Sequence, residues 1–227
     1  MSRLERAAPR PWSAVVFDLD GTLADTLRDL AEATNAALRE SGLPPRPLEA
    51  YPHMVGNGLA KLIERAAGPD VPQAERERIR QDFLRIYGRD CLRYTRPYEG
   101  MPEALAALRG AGIPLLVVTN KPDAQAHTIV RGLFGGGAFA GIYGNGEGRK
   151  VKPDPALTLE ALASVGARPE NSLFIGDSDV DIYTAANAGM RSAGAVWGFR
   201  GEEELREAGA DFLLYKPAEI LDTYEFL

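Results

Sequence analysis

Three short apolar runs, each breaking off into a polar or acidic cluster, constrain this chain more than any other feature. Ala14-Val15-Val16-Phe17 runs into Asp18-Leu19-Asp20-Gly21-Thr22, Leu115 to Val118 into Thr119-Asn120, and Leu173-Phe174-Ile175 into Gly176-Asp177. Runs of this length and type, bounded by turn residues, read as buried strands. Helical patterns separate them. Leu105 and Leu108 follow Pro102, Ala126 to Leu133 follow the second run, and Leu157 to Val165 precede the third. A further helix is expected from about Asp181 to Gly189, with late strands over Ala193 to Trp197 and Phe212 to Leu214. Strands alternating with helices predict an α/β fold, a parallel sheet covered on both faces. Ligands of such sheets bind beyond the carboxyl ends of the strands, so the three clusters are expected to meet in one cleft.

The alternation is interrupted once. From Thr26 to about Tyr94 nearly everything reads helical: Leu27 to Leu38 with Gly42 as a stop, Leu59 to Ala66 ended by Gly68-Pro69, and a stripe through Ile79, Phe83, Ile86, Tyr87, Cys91 and Tyr94. The expected organisation is a flexible tail over 1–11, a core from 12–25 and 95–227, and a helical insert over 26–94.

Composition removes several function classes. A formal charge of -6 disfavours binding to nucleic acid. One cysteine and two histidines exclude an intramolecular disulfide and offer no Cys/His zinc cluster, and Cys91 reads as packing. No apolar run reaches membrane-spanning length and none near the start resembles a secretory signal, so a cytoplasmic location without membrane partners is expected. Oligomeric state is not legible.

The acidic clusters carry the chemistry. Asp18 and Asp20 are two apart at a strand end, where side chains share a face, and close carboxylates repel unless a cation or proton relieves them. Asp177, Asp179 and Asp181 fall within five positions. Helix capping explains Asp179 or Asp181, but not all three. Oxygen ligands without histidine or thiolate favour Mg²⁺, which bridges carboxylates and phosphates, and no EF-hand spacing supports calcium. Thr119-Asn120 offers a hydroxyl, an amide and backbone N–H groups at an expected helix entrance, suited either to an anion or to capping. Lys152 precedes Pro153, which restricts it to extended conformations and suits a fixed cation. Lys150 reads as solvated, and Lys121 as at most a supporting group. No P-loop and no Gly-x-Ser-x-Gly elbow occurs. His53 and His127 read as surface or structural, and Trp197-Gly198-Phe199 as a packed turn or part of the cleft entrance.

With Asp18-Leu19-Asp20-Gly21-Thr22, Thr119, Lys152 and Gly176-Asp177-Ser178-Asp179-Val180-Asp181 in that order, the chain resembles the haloacid dehalogenase superfamily of phosphatases over nearly its whole length after the tail. The resemblance implies a Rossmann-like three-layer core, with the insert as a mobile cap. It implies Asp18 as nucleophile, Asp20 as general acid/base, and Mg²⁺ held by Asp18, the Asp20 carbonyl and Asp177. Asp181 would be a further ligand or would orient metal-bound water. Thr119 and Asn120 would bind the phosphoryl group while Lys152 offsets its charge. An acid at Asp20 sets the chain with phosphate-transfer members, since halide departs without a proton.

The segments around Asp18, Val55-Gly56-Asn57-Gly58-Leu59, Tyr98-Glu99-Gly100-Met101, Thr119 and Lys152 are most similar to phosphoglycolate phosphatases. That similarity implies 2-phosphoglycolate, a small phosphorylated metabolite, as substrate. Gly56, Asn57 and Gly58 are then either a carboxylate-facing turn on the cap or a flexible helix cap. Lys61 and Arg65 either add positive charge or form a solvated face. Another small phosphate, pyrophosphate included, is the next reading. A β-phosphoglucomutase-like isomerase ranks below hydrolysis, and an inactive phosphate-binding regulator has no use for a nucleophile paired with an acid.

Overall fold

A computed structural model describes residues 12–226, with side chains through Thr223. The tail expected over 1–11 lies outside the described residues. The chain runs through β1 (Ala14–Phe17), a short β2 (Ala24–Asp25), α1 (Leu27–Glu40), α2 (Leu59–Ala67), α3 (Gln73–Asp90) and a short β3 (Arg96–Pro97). It continues through α4 (Met101–Gly110), β4 (Leu115–Pro122), α5 (Asp123–Phe134), β5 (Gly141–Asn145), α6 (Ala156–Ser164) and β6 (Ser172–Gly176). It then passes through α7 (Asp179–Ala188), β7 (Arg191–Ala195), α8 (Glu202–Glu207) and β8 (Phe212–Leu214).

Six strands form one parallel sheet in the order β5-β4-β1-β6-β7-β8. Counting only these strands in chain order gives the doubly wound arrangement 3-2-1-4-5-6, whose order reverses between β1 and β6. Alternation along the strands sends Val15, Phe17, Leu115, Val117, Leu173 and Ile175 to one face, where Leu105, Leu108, Ile129 and Val130 of α4 and α5 cover them. Val16, Leu116, Val118 and Phe174 face the other way, against Leu157, Ala161, Leu162 and Ala185 of α6 and α7. Side chains on both faces are buried, hence the unbroken apolar runs. Full burial of Phe17 and Phe174 contributes about 1.5–3 kcal/mol each. The result is the three-layer, Rossmann-like core expected.

The insert leaves and re-enters the core through paired strands, Ala24 opposite Pro97 and Asp25 opposite Arg96 in an antiparallel ladder. Asp29 in α1 ties the two passages together. It accepts from the backbone N–H of Tyr94 and Thr95 and from the Thr95 hydroxyl. Leu30, Leu38, Leu62, Ile63, Ile79, Phe83 and Tyr87 are buried among α1, α2 and α3, and Cys91 packs with them just beyond α3.

Several bounds differ from expectation. β4 continues through Pro122, so Thr119 and Asn120 lie in extended backbone and α5 begins only at Asp123. The strand expected at Ala193–Trp197 is Arg191–Ala195, with Trp197 in the turn after it. A 3₁₀ helix over Leu48–His53 and the six-residue α8 were not foreseen. Each buries only one side chain, Tyr51 and Leu205 respectively, too few for a periodic signal. Among the described residues no helix is long and apolar enough to cross a membrane.

Candidate active site

The ends of β1 and β6 stand side by side, and the acids that follow them are buried together. Carboxylate oxygens of Asp18, Asp177 and Asp181 lie within 4.8 Å of one another. Lys152 enters between them, its Nζ 2.9 Å from Asp18 Oδ1 and 2.6 Å from Asp181 Oδ1, with its side chain 3% exposed. The Lys152–Pro153 peptide is cis. Burial pushes the Asp18 carboxyl up to about 6. Lys152 opposes that shift, and Asp181 and Asp20 add to it. Burial likewise raises Asp177 well above the usual carboxylate range, reinforced by Asp181 and Asp18. Burial alone would lower Lys152, but Asp18 and Asp181 outweigh it and hold the ammonium above its ordinary value. One lysine against three acids leaves the cluster under-neutralised.

Each acid is fixed by a different device. Asp181 closes a capping box at the start of α7: its Oδ2 accepts from the Ser178 N–H and hydroxyl, leaving Oδ1 for Lys152. Capping and charge compensation thus fall on the same residue. Asp177 Oδ2 accepts from the Phe199 N–H at 2.7 Å, and Oδ1 lies 3.5 Å from the donating Thr22 hydroxyl. Gly21, at φ +82, passes so close that a Cβ there would lie 2.1 Å from Asp177 Oδ2. Only glycine admits both the conformation and the approach. Asp18 Oδ1 is buried and has no partner beyond its 2.9 Å ion pair with the Lys152 ammonium. A buried carboxylate oxygen so placed among oxygen-only donors suits a hard divalent cation. The residues fit such an ion.

Asp20 does not share Asp18's partners. β1 ends at Phe17, so strand alternation no longer governs the two acids. The Asp20 carboxylate accepts from both Thr26 Oγ1 at 2.6 Å and Lys121 Nζ, which reaches its two oxygens at 2.7 and 2.9 Å. The Lys121 side chain is 1% exposed, so this is a buried ion pair. Thr119 Oγ1 accepts from the Lys121 backbone N–H at 3.3 Å, which leaves its own proton to donate elsewhere. The Asn120 side chain is spent on architecture. Its Oδ1 accepts from Lys152 N, while Nδ2 donates to the carbonyls of Lys152 and Gly56. Any hydrogen bond from Asn120 to a phosphoryl group therefore falls to its backbone.

The Gly56 carbonyl belongs to the insert, so Asn120 also joins the two parts of the chain. A cavity of about 40 Å³ lies at this junction, with Asp18, Asp20, Thr119, Asn120 and Lys121 on the core side. Gly56 and Gly58 line it from the turn before α2, together with Leu30, Leu59, Leu62, Phe83 and Tyr87; Asn57 is not among its lining residues. Lys61 pairs with Glu64, and Arg65 donates to the carbonyls of His53 and Met54, so both are occupied outside the cavity lining. Lys150 is exposed and paired with Asp154.

Sequence reasoning underrated the loop after β7. Trp197 Nε1 donates to the Thr22 carbonyl, Phe199 N holds Asp177, and Arg200 reaches the insert at the Val55 carbonyl and His53 Nδ1. The available signal was the Trp-Gly-Phe turn at a strand's carboxyl end, where site residues collect. Lys121, given only a supporting part, is in direct contact with Asp20.

Comparison with known proteins shows the family. The family description "Haloacid dehalogenase-like hydrolase" matches residues 15–195. N-acetylmuramic acid 6-phosphate phosphatase of Pseudomonas aeruginosa is 35% identical over 213 residues, spanning 93% of this chain and 94% of that protein. Phosphoglycolate phosphatase of Pseudomonas putida is 38% identical over 190 residues, covering 82% of this chain and 70% of the relative. Among solved structures, a predicted phosphoglycolate phosphatase from Haemophilus somnus superimposes with a TM-score of 0.86 at 29% identity, over 93% of this chain and 97% of that one. Matched by that family description over residues 15–195, the chain belongs to the haloacid dehalogenase-like hydrolases.

Proposed function

We propose that this chain hydrolyses phosphomonoesters through an aspartyl-phosphate formed on Asp18. The observation that carries the reading is the Asp18 carboxylate, buried against Lys152 and lining one cavity with Asp20. A carboxylate nucleophile splits one difficult displacement into two easier ones. Asp18 forms a bond to phosphorus as the ester P–O bond breaks, and Asp20 gives its proton to the departing alkoxide. Asp20 then takes a proton from water, which attacks the same phosphorus and releases phosphate and free Asp18. Lys121 and Thr26 hold Asp20 in place, Thr119 and the Asn120 backbone receive the phosphoryl oxygens, and Lys152 offsets their charge.

Mg²⁺ is the ion we assign to the acid cluster, held by Asp18, Asp177 and the Asp20 carbonyl. When bound it neutralises charge on the phosphoryl oxygens. Asp181, with both oxygens engaged, serves to position Lys152. Residues 26–94 act as a cap that opens for substrate and closes over a core of 12–25 and 95–227.

The substrate we assign is small. The relatives named phosphoglycolate phosphatase support the two-carbon leaving group of 2-phosphoglycolate, at the cavity that Asp18 and Asp20 line. The Pseudomonas aeruginosa relative that spans nearly the whole chain favours a second reading, N-acetylmuramic acid 6-phosphate, which needs a wider opening of the cap. Phosphate release with and without Mg²⁺ tests both, using 2-phosphoglycolate, N-acetylmuramic acid 6-phosphate, pyrophosphate and hexose phosphates. The expected outcome is Mg²⁺-dependent turnover with the highest kcat/KM for 2-phosphoglycolate. Preference for the amino-sugar phosphate transfers the assignment to it, and no release from any ester defeats the chemistry.

A further inference from the structure

The insert turn that precedes α2 closes one side of the cavity, where Val55, Gly56 and Gly58 line it together with Asp18 and Asp20. The core holds this turn from two different strands. Asn120, near the end of β4, donates through Nδ2 to the Gly56 carbonyl at 2.9 Å. Arg200, in the loop after β7, donates through Nη2 to the Val55 carbonyl at 2.9 Å, and its Nη1 lies 3.1 Å from His53 Nδ1. A guanidinium only donates, so the imidazole nitrogen is the acceptor. In the sheet, β1 and β6 stand between β4 and β7. The two attachments therefore straddle the strand ends that carry Asp18 and Asp177. The Arg200 side chain is 11% exposed, and its carboxylate neighbour is Glu204 at 3.6 Å. Arg200 is not among the cavity's lining residues, so its effect on the site passes through the turn.

We propose that Arg200 is a positioning residue that limits the size of the leaving group: by latching His53 and Val55 to the core, it opposes the lifting of the turn that a bulky phosphate ester requires. The inference rests on the phosphatase reading and adds to it the contact through which the core controls the insert. A small leaving group fits beneath the docked turn and leaves these hydrogen bonds intact. A bulky one binds only molecules whose turn has lifted, so its apparent affinity is reduced by the fraction of the chain in that state. Loss of the guanidinium raises that fraction. Hydrogen bonds from a charged donor are stronger than neutral ones, and at 11% exposure water competes for them weakly. Asn120 still holds Gly56 when Arg200 is replaced, so the turn loosens without detaching.

The test is Arg200→Met, which keeps much of the side chain's length and removes every donor. Amide hydrogen exchange of the peptides covering residues 53–58 reads the latch directly. Exchange there should quicken about three- to tenfold while β1 and β6 stay as in wild type. Steady-state kinetics with Mg²⁺ then compare a small ester, 2-phosphoglycolate, with a bulky one, N-acetylmuramic acid 6-phosphate. The variant should gain about three- to tenfold in kcat/KM for the bulky ester, mainly through KM, while the value for the small ester holds or falls. His53→Ala, at an exposed side chain, removes one acceptor without altering the core loop and should move both readings the same way by a smaller factor. A residue that merely supports the fold would lower both esters together. Equal losses on the two esters, an unchanged ratio between them, or a turn that exchanges no faster overturns the proposal. Wild type that cleaves neither ester, beside a variant whose turn exchanges faster, instead overturns the phosphatase reading and leaves the latch standing.

Discussion

Gly198→Ala is the substitution for which the structure predicts the largest effect from the smallest change. A Cβ built on Gly198 would lie 2.2 Å from Asp177 Cβ, 2.5 Å from the Gly21 carbonyl oxygen and 2.7 Å from Asp177 Oδ2. Ordinary contacts with carbon begin near ~3.5 Å, so something must move by about 1.3 Å. One obstacle is backbone and another is the root of the Asp177 side chain, so no flexible tip can swing aside. The loop after β7 must retreat, taking the Phe199 N–H from Asp177, or Asp177 must shift against Asp18 and Asp181. A displacement of about 1 Å at a reacting centre costs on the order of 100-fold. Overpacking costs about 1–3 kcal/mol, which in a chain of this size lowers Tm by about 2–12 °C. The assay is kcat/KM at saturating Mg²⁺ beside a thermal melt. The expected variant is folded, moderately destabilised and at least about 100-fold less active. Activity within threefold of wild type at an unchanged Tm would refute the close packing of this loop on Asp177.

Two further outcomes follow from the buried charges. Lys152→Met leaves Asp18 and Asp181 without their cation, which should cost about 3–5 kcal/mol and lower Tm markedly at pH 7.5; a melt indistinguishable from wild type would contradict the ion-pair account. The second concerns Asp18, raised from 3.8 to about 6 in the fold. Across that window the folded chain holds the Asp18 proton more tightly than the unfolded chain, so this residue's contribution to stability falls as pH rises from about 4 to about 6 and levels above. In chelator, wild-type stability minus that of Asp18→Asn should decline by up to about 1.4 kcal/mol per pH unit there. Denaturant melts at successive pH values read it, and a flat or rising difference would mean that Asp18 is not held protonated by burial.

Much of this was legible in the primary structure because Asp18, Thr119 and Asp177 each follow an apolar run that reads as a buried strand. The β1 and β6 runs carry Asp18 and Asp177 to adjacent strand ends, and sheet order alone then brings them together. What escaped depends on where extended backbone stops. Ending β4 at Val118 made Thr119 and Asn120 look like parts of a helix entrance. Carrying the strand to Pro122 makes Thr119 and Lys121 neighbours two apart, and side chains so spaced share a face. Asp18 and Asp20 do line one cavity, but β1 ends at Phe17, so the turn after it and not strand alternation places Asp20 there. The role of Gly198 depends on the approach of Gly21, 177 positions earlier in the chain, and no local pattern encodes that contact.

The central claim is that Asp18 takes the phosphoryl group. Rapid acid quench during turnover of ³²P-labelled ester, followed by peptide mapping, tests it most directly. Label should appear on the peptide containing Asp18 in wild type and vanish in Asp18→Asn, together with turnover. Label on a different residue, or undiminished phosphate release by Asp18→Asn, would contradict it.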